Sequence, residues 1–141
     1  MSTELNSLAD QTFAISSSAY DNTVNLDMYC DIQVIMSSPT NWGQDFASSG
    51  GRTGVMLTCM EAVDGTNFPT AAGFDAVRSS RLMLNYMVMF GVNGLILYGT
   101  ARQALIPPAK FNIGFFNYMG CPLAASGNLV QMITYGWNTR A

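Results

Sequence analysis

The sequence predicts an all-β chain, a jelly-roll-like antiparallel β-sandwich of about seven or eight strands. Three observations lead there. Apolar and polar residues alternate with period two over long stretches, turn residues recur at short intervals between those stretches, and no segment carries a convincing amphipathic helical stripe. The chain has 141 residues, 49% of them apolar, which is enough for one domain with a sizeable core. The expected organisation is a flexible N-terminal arm over residues 1–10 and one sandwich over 11–141.

Taken in chain order, a first strand is expected within Gln11–Ser18. Leu26, Met28, Cys30, Ile32, Val34 and Met36 then alternate with Asn25, Asp27, Tyr29, Asp31, Gln33 and Ile35, the signature of a half-buried strand. A polar loop from Ser37 to Gly51 follows. Val55, Leu57 and Cys59 alternate with Met56, Thr58 and Met60, and Asp64-Gly65-Thr66-Asn67-Phe68-Pro69 ends that strand with turn chemistry. Ala76–Val88, Leu95–Arg102, Lys110–Tyr118 and Leu129–Tyr135 read as further strands, and the adjacent Pro107 and Pro108 exclude a strand interior there. Single-sided stripes of this kind require two sheets face to face.

The most apolar stretch, residues 82–99, is nearly long enough to span a bilayer. Asn85, Asn93, Gly91, Gly94 and Gly99 speak against a helix, and two strands around Gly91-Val92-Asn93-Gly94 fit better. The first ten residues lack a basic and an apolar region, so no signal peptide is expected.

Composition excludes more than it selects. Charged residues are 11%, against about 25% in an ordinary soluble domain. The net charge is -3, with only six lysines and arginines, so an electrostatic nucleic-acid binder is not expected. Histidine is absent, which removes histidine bases, triads and metal ligands. Cys30, Cys59 and Cys121 form no C-x-x-C pair and read as buried small hydrophobes in a reduced compartment; a Cys30–Cys59 bridge between adjacent strands is the alternative. Asp21, Asp27 and Asp31 match no calcium loop, and Arg78 and Arg81 point to opposite faces of a strand. No nucleophile elbow, Walker motif or dinucleotide fingerprint occurs, so neither an enzyme nor a cofactor is expected. Two acids on facing elements, as a glycosidase needs, are not evident. A polar surface with little charge suits a protein that packs against neighbours.

The second half carries a recognisable run: Asp64-Gly65-Thr66-Asn67-Phe68-Pro69, a strand holding Arg102, Ile106-Pro107-Pro108-Ala109-Lys110-Phe111, a strand ending in Asn117, then Pro122-Leu123-Ala124-Ala125-Ser126-Gly127-Asn128. Over roughly residues 54–135 this resembles the small jelly-roll decoration or cement proteins of tailed-bacteriophage capsids. The resemblance implies a non-enzymatic virion protein on the capsid exterior, made in the host cytoplasm. Its partners would be the major capsid protein and further copies of itself, as a dimer or trimer, with neither nucleic acid nor membrane. Candidate contact residues are Trp42 and Phe46 in the Pro39–Ser49 loop, Tyr20, and the arm around Leu5 and Asn6. Trp42 and Phe46 have the alternative of folding back to cap the sandwich. A different class of function, a phage tail, fibre or carbohydrate-binding module recognising host glycan, draws on the aromatics Tyr86, Phe90, Tyr98, Phe115, Phe116, Tyr118, Tyr135 and Trp137.

Overall fold

The computed structural model describes residues 1–37, 54–62, 64–68, 83–88 and 96–136. In chain order its strands are β1 (Phe13–Ile15), β2 (Tyr20–Asp21), β3 (Tyr29–Met36), β4 (Gly54–Glu61), β5 (Met83–Val88), β6 (Leu97–Leu105), β7 (Lys110–Tyr118) and β8 (Leu129–Tyr135). They form two antiparallel sheets, one ordered β6-β3-β8 and the other β1-β7-β4-β5 with β2 also on β7. The pairs β3–β8 and β4–β7 nest one inside the other, so the chain wraps around a β-sandwich as the alternating pattern requires.

The core follows from the pleat. Cys30, Ile32, Val34 and Met36 of β3 point inward and are buried, facing Val55, Leu57 and Cys59 of β4 and Phe111, Ile113 and Phe115 of β7. The predicted stripe is two residues too long at its start, because β3 begins only at Tyr29 and leaves Leu26 and Met28 exposed. The cause is a local polar bracket. Asn22 Oδ1 accepts the Asp27 N–H at 2.8 Å, and its Nδ2 donates to the carbonyls of Asp27 and Pro107, both at 2.8 Å. Held this way, the chain turns through Leu26 at φ +52° and cannot be extended strand.

The second sheet departs from the single-sided expectation in another way. Met60 and Phe116, on the face of β4 and β7 away from the core stripe, are buried as well, so these two strands are covered on both faces. That fits β4, which reads as a nearly continuous apolar run over Val55–Met60 broken only by Thr58. Gly114 in β7 lies beneath the Phe13 ring, and a Cβ there would come within 2.7 Å of Thr58 Cγ2.

Residues 1–10, expected as a flexible arm, are seated on the sandwich together with Gln11 and Thr12. Thr3–Leu5 form a single 3-10 turn that drops Leu5 fully into the core. Backbone bonds run from Ser7 N to Ala124 O, from Leu123 N to Leu8 O, from Gln11 N to Asn117 O and from Asn117 N to Thr12 O. Glu4 ties the turn to the β1–β2 connection, with Ser17 N donating to Oε1 at 2.7 Å and Ser2 N to Oε2 at 3.1 Å. Partial burial pushes the Glu4 carboxyl up, but the bonds from Ser17 and Ser2 outweigh it and hold it at about 2.

All three cysteines are free and buried. Cys30 and Cys59 sit on facing sheets and not on adjacent strands. Burial pushes the Cys30 thiol up to about 12, with the Asp31 charge adding to it, and burial also raises Cys59. β5 and the start of β6 fall within the apolar stretch 82–99, and among the described residues no helix is long and apolar enough to cross a membrane. The expected turn at Gly91–Gly94 and the segment 76–82 lie outside the described residues. The Asp64 turn is present: Asp64 Oδ1 accepts the N–H groups of Thr66 and Asn67, and Gly65 takes φ +75°.

Two measurements probe this packing. Leu5→Ala lowers unfolding free energy by about 2–5 kcal/mol and Gly114→Ala by about 1–3 kcal/mol in denaturant titrations. The second concerns pH. Because folding lowers the Glu4 carboxyl from 4.5 to about 2, its stabilisation is complete above pH 4.5 and is lost as pH falls toward 2. Glu4→Gln is therefore less stable at neutral pH, with a shallower acid decline across that window.

Candidate interaction face

With β4 and β7 covered on both sides, the outward face of β6-β3-β8 is where, among the described strands, large apolar side chains meet solvent. The odd-numbered residues of β3 point out, and cross-strand register sorts the face into rows. Leu105, Tyr29 and Tyr135 form the first row, followed by Asp31 beside Ile133. Thr100, Gln33 and Gln131 form a polar row, and Tyr98, Ile35 and Leu129 the last. Ile133 is 72% exposed, Tyr98 66% and Leu105 55%. Val24, Leu26 and Met28, in the loop leading to Tyr29, add further exposed apolar side chains at that end.

Asp31 organises the first half of this face. Its Oδ1 accepts the Gln103 N–H at 3.0 Å and the Tyr135 hydroxyl at 2.8 Å. The first bond holds a β-bulge: register shifts on β6 opposite Asp31, and Gln103 takes φ +57° there. The second sets the Tyr135 ring against Tyr29, centroids 6.2 Å apart at 26°. The result is an ordered surface that mixes apolar side chains with polar rungs, suited to contact with another surface.

Among the described residues no three His, Cys, Asp or Glu side chains cluster as metal ligands. A general acid wants a raised carboxyl. Here Asp64 is held at about 2 by the N–H groups of Asn67 and Thr66, and Asp21 is lowered by Thr23 and by Lys110 at 3.2 Å. These carboxylates are engaged in turns and local bonds.

The individual candidates from the sequence fall differently. Trp42, Phe46, Arg78, Arg81, Phe90 and Trp137 lie outside the described residues, as does the side chain of Tyr86. Leu5 is in the core, and the neighbouring Asn6 is exposed, its Oδ1 accepting from Asn128 at 3.3 Å. Tyr20 closes one open side of the sandwich: its ring rests on Phe111, and its hydroxyl donates to Asp27 and meets the Thr134 hydroxyl at 2.7 Å. Phe115 and Phe116 are buried on opposite faces of β7, and Tyr118 is half-buried against Phe116. Of the described members of that aromatic set, Tyr98 and Tyr135 reach the open face. Ile133, Leu105 and the Asp31–Gln103 bulge were not singled out by the sequence. A strand at the sheet's end, uncharged and ending in Tyr135, is the trace they leave there.

No family model, no curated protein and no solved structure matches this chain.

The bulge is testable by stability. Asp31→Ala removes the acceptor for two hydrogen bonds and costs about 1–3 kcal/mol. Gln103→Gly relieves a left-handed conformation worth about 1–2 kcal/mol and is neutral or stabilising in the same titration.

Proposed function

We propose that the chain is a non-enzymatic structural protein of a virus particle, a decoration or cement protein on the outside of a tailed-phage head. The observation that carries this reading is the open β6-β3-β8 face, with Ile133, Tyr98 and Leu105 exposed on a sparsely charged β-sandwich. Size supports a lattice role. Three strands at ~4.8 Å and seven residues at ~3.3 Å give the face a footprint of about 14 Å by 23 Å. That is well under the ~800 Å² per partner of a stable pairwise complex. A contact so small holds firmly only when many copies engage one shell, where multivalency adds up weak contacts. The major capsid protein is the partner this reading names.

Glycan recognition by a tail or fibre module is the second reading, and the Tyr98 ring and the Tyr29–Tyr135 pair on the same face favour it. Quantitative mass spectrometry of purified particles from the source lysate separates the two. The decoration reading expects copies of this chain in a simple ratio to the major capsid protein. A few copies per particle would move it to the tail and make glycan arrays decisive; complete absence from particles would overturn both.

A further inference from the structure

We propose that the outer edge of β8 is a self-pairing seam, joining two copies antiparallel about a two-fold axis at Ile133 into one continuous six-stranded sheet. This inference rests on the strand edge and not on the capsid reading.

The direction of the β8 backbone is fixed by one contact. Val130 N donates to Met1 O at 2.9 Å, and the Met1 ammonium donates back to Val130 O at 3.3 Å. Val130 therefore presents its peptide groups away from β3, and by the period of two so do Met132 and Thr134. Among the described residues β8 pairs with β3 alone beyond that rung, and none of them takes up the outward peptide groups of Met132 and Thr134, the two ladder positions of the proposed seam.

The two edges of this sheet are defended unequally. β6 carries the Gln103 bulge and Arg102, both devices that discourage pairing. β8, Leu-Val-Gln-Met-Ile-Thr-Tyr, has no charge, no proline and no register shift against β3. An uncharged strand offers no repulsion to a second copy of itself.

Symmetry then selects the register. Two open rungs on each copy satisfy each other only if Met132 meets Thr134 of the second copy, which centres the axis on Ile133. At that centre the two Ile133 residues form a non-hydrogen-bonded pair, the closer kind, on the outer face where this side chain is already exposed. The strand ends at Tyr135, so the second copy leaves the ladder before the rung held by Met1. A foreign strand would satisfy the same rungs, but the self-complementary register favours a copy of this chain.

The test uses the full chain. Cβ atoms in such a pair lie ~4.5–5.5 Å apart, near disulfide reach. Under mild oxidation Ile133→Cys is expected to give disulfide-linked dimer, at least ~10-fold more than Val24→Cys, an equally open position away from the seam. The native cysteines are buried and do not compete. Sedimentation of the unmodified chain at rising concentration is expected to show weak, reversible dimerisation that Ile133→Lys abolishes, while the circular dichroism of the dilute monomer stays unchanged. A monomer at every concentration, a dimer indifferent to Ile133→Lys, or equal cross-linking at both positions would overturn the proposal. So would binding of a capsid-protein strand at this edge by a chain that never self-associates.

Discussion

The polar backbone of the buried loops has to be satisfied, and three buried asparagines meet that requirement. Asn117 Nδ2 donates to the carbonyls of Leu8, Ala9 and Cys121, while its Oδ1 accepts the Met119 N–H. One side chain thus fastens the N-terminal segment to the end of β7. Asn128 does the same between Ser37, Ala124 and Asn6, fixing where β3 ends and β8 begins. Asn22 sets where β3 starts. Leaving such groups unpaired in the interior costs about 1–3 kcal/mol each, so the loops have little freedom to choose other paths. Strand ends, register and the seat of Leu5 all depend on these brackets.

The sandwich that results is unequal. In the β1-β7-β4-β5 sheet the strands β4 and β7 are buried on both faces, while β6-β3-β8 is buried on one and open on the other. Stability and contact are thereby divided between the layers. Both sheets contribute to the apolar core, the first with the large rings of Phe111, Phe115 and Phe116, and the open sheet presents Tyr98, Leu105 and Ile133 without drawing them from the core. Asp31 holds the exposed layer in shape through the bulge and the Tyr135 hydroxyl, so its side chains are ordered before any partner arrives.

Much of the fold is legible in the sequence because its signals are local. Lys110–Tyr118 and Leu129–Tyr135 are strands with the expected ends, and the inward set Cys30, Ile32, Val34 and Met36 follows from period two alone. Leu26 and Met28 share that period yet lie outside the strand, because a side chain four to six residues earlier captures the backbone first. The burial of Leu5 is likewise invisible locally: the arm reads as polar, and its one deep leucine is held by contacts with residues more than a hundred positions away. The open face is the least legible feature of all. Alternation shows that one side of a strand is apolar, but not that Ile133 and Leu105 stand on the side left to solvent.

The central claim is that β4 and β7 are closed on both faces while β8 keeps an edge for a second copy. Residue-resolved amide hydrogen exchange on the dilute chain tests it directly. The account predicts slow exchange through β4 and β7, and fast exchange at Met132 and Thr134 that slows as concentration rises. Protection at those two amides equal to that of β4 in the most dilute sample would show that the edge is already closed, and would contradict the account.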